Sequence, residues 1–159
     1  MSAEIIDMVR EFCPAARLIG KRYEGAPNWV EWWENGWFNA LEKLPMLPFN
    51  GDAYIGAQQG ETTHWIGMLF PANTTVPAGF DFIDLPSTQY AVCFLRDAEG
   101  SADLYSAQTR KQCLERISAM SRPIADGWRL ERYNCPRFTA PDDQGRVILD
   151  WAVEISEHG

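Results

Sequence analysis

Histidine is scarce: His64 and His158 are the only two in 159 residues, and His158 is next to last. A serine–histidine–acid site would have to use His64. No serine lies in a G-x-S-x-G elbow, and His64 reads as an ordinary strand residue. Metal-ligand spacing is missing too, with no H-x-x-x-H and no C-x-x-C. Neither G-x-x-x-x-G-K nor G-x-G-x-x-G occurs, so there is no nucleotide fingerprint, and no cofactor or metal is expected. The pair Asp142-Asp143 reads as a solvated hairpin turn rather than a cation site. Cys13, Cys93, Cys113 and Cys135 form no dense framework and read as reduced thiols of a cytoplasmic chain. No run approaches the roughly 18 apolar residues of a transmembrane helix. Met1 to Phe12 carries Glu4, Asp7 and Glu11, where a signal peptide would be basic and then apolar. Basic residues are outnumbered, 14 against 22, for a net charge of −8. Such a chain repels phosphate backbones and has no electrostatic pull toward anionic lipid. Neither direct nucleic-acid binding nor membrane binding is expected.

The chain does have enough apolar content, 46%, to build a core, and its length fits one domain, 1–159. Residues 17–24 alternate as a strand. Asn28 is set to cap a helix over 29–44, with Glu31 at its third position. Pro45 and Pro48 would end that helix. Strands are expected over 53–58 and 64–70, joined by a turn at Gly60, and a long connection over 71–87 includes an extended piece at 80–84. A buried strand over 88–95, a helix over 102–121 with Leu104, Ala107, Leu114 and Ile117 on one stripe, and strands over 127–134 and 146–155 complete the series.

The order strand, helix, strand, strand thus occurs twice. Corresponding elements are offset by about 73 or 74 residues, apart from a longer turn at Asp142. We expect an α+β fold of two such modules, about 13–71 and 87–156, related by a pseudo-two-fold. Its antiparallel sheet would carry two main helices around a central cleft.

Aromatic residues are plentiful: seven Trp, five Tyr and eight Phe. Four tryptophans, Trp29, Trp32, Trp33 and Trp37, fall on the first helix. Helical spacing puts Trp33 and Trp37 in the core stripe and leaves Trp32 semi-exposed. A sharper alternative has Trp29, Trp32 or Trp33 walling a cavity for a flat ligand, since stacked aromatics hold planar or cationic molecules. Glu131 lies mid-strand and shares a side with Tyr133. It is either a glutamate on a solvated face paired with Arg129 or Arg132, or a carboxylate buried in an aromatic pocket, which would need a cation or a proton to offset its burial.

Four features together resemble the GyrI-like effector-binding domain. They are the duplicated strand-helix-strand-strand order, the Glu131-x-Tyr133 strand, the following strand from Val147 to Ile155, and the stretch from Trp65-Ile66-Gly67-Met68 through Phe82-Ile83-Asp84-Leu85-Pro86. This ligand-binding module ends multidrug-sensing MerR-type and AraC-type activators and also occurs alone on mobile gene cassettes. The resemblance covers about residues 13–156. It implies a central cleft for hydrophobic, often cationic, compounds, with Glu131 as its acidic residue. Tyr133, Trp33, Trp37, Trp65, Tyr90, Trp128 and Trp151 are the candidate aromatic walls. Residues 1–12 are too short for a helix-turn-helix segment, so the expected role is that of a stand-alone small-molecule-binding domain. Relatives that open cyclopropane rings of electrophilic natural products imply an alternative, a hydrolase using Glu131 and Tyr133. A third reading is a protein partner in trans, in transcription regulation or topoisomerase inhibition.

Overall fold

The computed structural model describes residues 2–44, 53–120 and 124–155. Eight strands form one antiparallel sheet: β1 (Glu4–Cys13), β2 (Ala16–Glu24), β3 (Tyr54–Gln59), β4 (Thr63–Pro71), β5 (Asp81–Leu85), β6 (Thr88–Ala98), β7 (Ile124–Tyr133) and β8 (Arg146–Ile155). Three helices lie between them: α1 (Trp29–Glu34), α2 (Trp37–Glu42) and α3 (Ala107–Ser118), the last preceded by a short 3-10 turn (Ala102–Tyr105). The strand order is β1-β6-β8-β7-β3-β4-β2-β5. Read outward from its centre, each half of the sheet runs third, fourth and first element of a module, then an edge strand. The duplicated α+β architecture expected from the sequence is therefore present, and the central β3–β7 pair joins its halves.

Two expectations need correction. The helix anticipated over 29–44 is two short helices. Asn28 caps α1 as expected, its Oδ1 accepting the Glu31 N–H at 3.3 Å. Gly36 then takes a left-handed conformation, φ 65°, which a residue with a Cβ adopts only at a cost, and the axis changes direction. Pro45 and Pro48 lie outside the described residues. The second correction is β1, which the sequence reading passed over. It pairs with β6 along the sheet edge. A register shift between Ile5 and Asp7 breaks its alternation, and Ile6, Val9 and Phe12 point outward, so no clean period of two marks it.

All three helices cover one face of the sheet and make two separate cores there. Trp32, Phe38 and Leu41 pack on Ile19, Ile66, Met68 and Phe70. Leu104, Cys113 and Ile117 pack on Cys93, Leu95, Leu149 and Val153. The opposite face has no helix and is buried as the sheet curls on itself, bringing Leu18, Leu69 and Leu85 into one cluster with Tyr90, Val92 and Trp128. That face also holds Asp150, which is 0% exposed. It accepts hydrogen bonds from Arg132, Asn134 and Arg137, so its charge is paired and bonded as burial requires. Among the described residues no helix is long and apolar enough to cross a membrane, and all four cysteines are free.

The β2–β4 pair comes unusually close at Gly20 and Gly67, which face each other in register. A Cβ on Gly20 would sit 1.9 Å from the Ile66 carbonyl oxygen, and one on Gly67 would sit 2.2 Å from that of Ile19. Backbone cannot yield as a flexible side chain can, so Gly20→Ala should destabilise the fold by about 3 kcal/mol or more. A urea titration of both proteins measures this; an unchanged midpoint would show that the close approach is not required.

Candidate functional site

Between the two helix-side cores the central strands are left uncovered. Side chains alternate along a strand, so β3 and β7 present three opposed pairs to this gap: Tyr54 with Tyr133, Gly56 with Glu131, and Gln58 with Arg129. They floor a cleft of about 820 Å³, within the roughly 300–1,000 Å³ of small-molecule sites. Trp29 and Trp33 from α1 form one wall. Tyr105, Ala107 and Arg110, around the start of α3, form the other, and Phe138 and Trp151 close one side.

The aromatic rings brace one another. Trp29 meets Tyr133 edge-on at 5.1 Å between centroids, Tyr133 meets Phe138 at 4.7 Å, and Trp33 meets Tyr54 at 5.3 Å. Such pairs hold a ring in place without filling the space before it. Trp33 stands at the mouth and is 58% exposed, although helical spacing had assigned it to the core. Trp32 is the buried one, its Nε1–H donating to the Tyr23 hydroxyl at 3.1 Å. The break at Gly36 explains the exchange: the six residues of α1 orient by their own contacts, not by the stripe of a longer helix.

Glu131 is held from two sides. Its Oε2 accepts from Arg110 Nη2 at 2.6 Å, and its Oε1 accepts from the Tyr133 hydroxyl at 3.0 Å. Both partners of the ion pair are about one-fifth exposed. Glu131 pairs neither with Arg129 nor with Arg132; Arg132 points to the opposite face and binds Asp150. Gly56 makes room for this arrangement, because a Cβ there would lie 2.8 Å from Glu131 Oε1 and 3.1 Å from the Trp29 ring.

Of the residues singled out from the sequence, Glu131, Tyr133, Trp33 and Trp151 line the cleft, and Trp65, opposite Ala57 in the helix-free core, reaches only its edge. Trp37, Tyr90 and Trp128 do not. Trp37 packs edge-on against Trp32, with Lys21 over its ring. Tyr90 and Trp128 belong to the helix-free core. Trp128 is an odd number of positions from Glu131, so alternation alone places it on the other face. Tyr54 was missed although it alternates with Gly56 and Gln58. Arg110, Tyr105 and Phe138 had no local signal, since their approach to Glu131 and Tyr133 is tertiary.

No family model matches the sequence, and no curated protein matches it. Solved structures do match. SAV2435 bound to tetraphenylphosphonium superposes with a TM-score of 0.62 at 16% identity, covering 96% of this chain and 95% of that one. The EcmrR C-terminal domain gives 0.65 at 8% identity over 94% and 97%. This is the GyrI-like effector-binding fold. An integron cassette protein from the mobile metagenome of Vibrio cholerae shares it, with a TM-score of 0.51 at 10% identity over 96% and 97% of the two chains. At these identities the likeness is one of GyrI-like architecture, and the chemistry has to be read from this chain's own side chains.

Burial pushes the Tyr133 phenol well above its ordinary value, and the charge of Glu131 adds to the shift. Burial does the same for Tyr90, on the opposite face. For a group that loses a proton, a raised folded pKa means that the unfolded chain ionises first. Stability is then fully present below the unfolded value, near 10, and falls as pH rises beyond it, by about 1.4 kcal/mol per pH unit for each such group. Tyr133→Phe should therefore flatten the loss of stability above about pH 10 relative to wild type. Urea unfolding of both proteins across that range tests it, and parallel curves would show that Tyr133 ionises freely in the folded protein.

Proposed function

We propose that this chain is a small-molecule-binding domain of the effector-binding type and that the β3–β7 cleft receives a hydrophobic aromatic ligand. The observation that carries this reading is Trp33. A tryptophan more than half exposed at the mouth of a preformed aromatic cleft leaves a large apolar surface in water, and a flat ligand laid against it recovers that burial. Enclosing about 300 Å² of apolar ligand surface is worth roughly 7 kcal/mol gross, from which association costs of several kcal/mol subtract, leaving micromolar binding. Two of the structural relatives are consistent with the reading: one is described with tetraphenylphosphonium bound, and the other is the C-terminal domain of EcmrR, which is also described in complex with DNA.

In this reading Trp29, Trp33, Tyr54 and Tyr133 provide the stacking surfaces, and the charged groups on and beside β7 set the ligand's orientation. Titration of the protein with a panel of aromatic compounds, followed by tryptophan fluorescence, should give saturable quenching. Trp33→Ala should weaken binding about tenfold, the worth of one aromatic contact. It should lower the urea midpoint less than Trp32→Ala does, because Trp32 is fully buried and Trp33 is 58% exposed. Saturable quenching of equal affinity in both proteins would place the ligand elsewhere, and absence of quenching by the whole panel would argue against the cleft as a binding site.

A further inference from the structure

The resemblance in sequence implies a cleft for hydrophobic, often cationic, compounds with Glu131 as its acidic residue, but here that glutamate already has a counter-ion. Arg110 Nη2 and the Tyr133 hydroxyl each donate to one oxygen of Glu131, so an incoming cation would compete with a guanidinium already paired to it at 2.6 Å. Arg129, opposite Gln58 on the same floor, is a second cleft guanidinium. Among the described residues it has no carboxylate partner. It stands 5.8 Å from the centroid of the Trp151 ring, and Arg110 stands 4.8 Å from the same ring. The lining thus holds two guanidiniums against one carboxylate. Ala107, the first residue of α3, also lines the cleft, which adds the positive end of a helix dipole.

The neighbouring acids do not reverse this balance. Asp150 is on the opposite face, enclosed by Arg132 and Arg137. Glu154 accepts from the Trp128 N–H and the Thr88 hydroxyl, and Glu42 sits at the rim, accepting from the Tyr54 hydroxyl. The net charge of −8 is spread over the surface, where salt screens it beyond about 8–10 Å. A charge inside a partly enclosed cleft is screened much less.

From this we infer that the cleft selects aromatic ligands that carry an anionic group, such as a carboxylate or sulfonate, with Arg129 as its partner and Arg110 as a built-in cation that excludes lipophilic cations from Glu131. The inference rests on the reading of the cleft as a ligand site and adds the sign of the ligand's charge. A planar guanidinium matches a planar carboxylate with two parallel hydrogen bonds, which gives Arg129 a geometric as well as an electrostatic preference.

Tetraphenylborate and tetraphenylphosphonium are close to equal in size and shape and opposite in charge. Calorimetric titration of the wild type with each, and with neutral naphthol, separates the two levels of the argument. Tetraphenylborate should bind at least about tenfold more tightly than tetraphenylphosphonium, the equivalent of about 1.4 kcal/mol. Arg129→Gln should remove most of that difference, and Arg110→Gln should raise the affinity for the phosphonium. Equal affinity for the two ions, or tighter binding of the phosphonium by the wild type, would overturn the anionic preference and leave the cleft reading intact. If neither ion nor naphthol binds, the cleft reading itself fails. The wild-type comparison decides the sign of the preference even if a variant does not fold.

Discussion

The central antiparallel pair of β3 and β7 is the constraint on which the other features depend. It is the only direct strand pairing between the halves of the sheet among the described residues, and it lies between the helices rather than beneath them. With a period of two, one set of its side chains must point into the helix-free core and the other into the gap. Ile55, Ala57 and Leu130 supply the first set, and Gly56, Gln58, Arg129 and Glu131, flanked by Tyr54 and Tyr133, supply the second. A cleft is the consequence. Neither helix layer reaches far enough to cover the middle of an eight-stranded sheet, and the floor residues Glu131 and Arg129 are not ones that could be buried there without partners.

Keeping the cleft open places demands on the remainder of the fold. An uncovered floor gives up burial that an ordinary two-layer domain would have, and the opposite face makes up for it by curling until it buries itself. The close glycine contact of β2 with β4 lies on that face, as does the Asp150 cluster, which ties β8 to Arg132 on β7 and to Arg137 beyond it. The floor is therefore tied from behind, while the rings in front of it are braced by one another and by the hydroxyl bonds of Tyr133 to Glu131 and of Tyr54 to Glu42.

Much of this was legible in the sequence because strand alternation and module order are local signals. The repeat offset set out both halves, and Glu131 with Tyr133 was recognisable as a same-side pair. Trp128 and Tyr54 were misplaced against the strand alternation itself, while the other misreadings arose where contacts distant in sequence decided the outcome. A helix drawn unbroken through Gly36 carries Trp33 into the core. Once broken there, α1 turns Trp32 toward Tyr23 and Phe80 and leaves Trp33 in solvent. β1 went unread because an edge strand with a register shift buries too little to show a pattern. Arg110 was invisible because nothing in a helix surface arginine announces a carboxylate 21 positions away.

The two halves of the sheet are alike in backbone but not in chemistry. The first half contributes Trp29, Trp33, Tyr54, Gly56 and Gln58 to the cleft, with no carboxylate or guanidinium among its lining residues. The second half contributes Arg110, Arg129 and Glu131. A site on the axis of a truly symmetric dimer would accept a lopsided molecule in two equivalent poses. Covalent duplication followed by divergence removes that degeneracy. Here the cleft has a head and a tail, so on the proposed reading a ligand with one flat end and one polar end would have a single way round, each half meeting a different part of it.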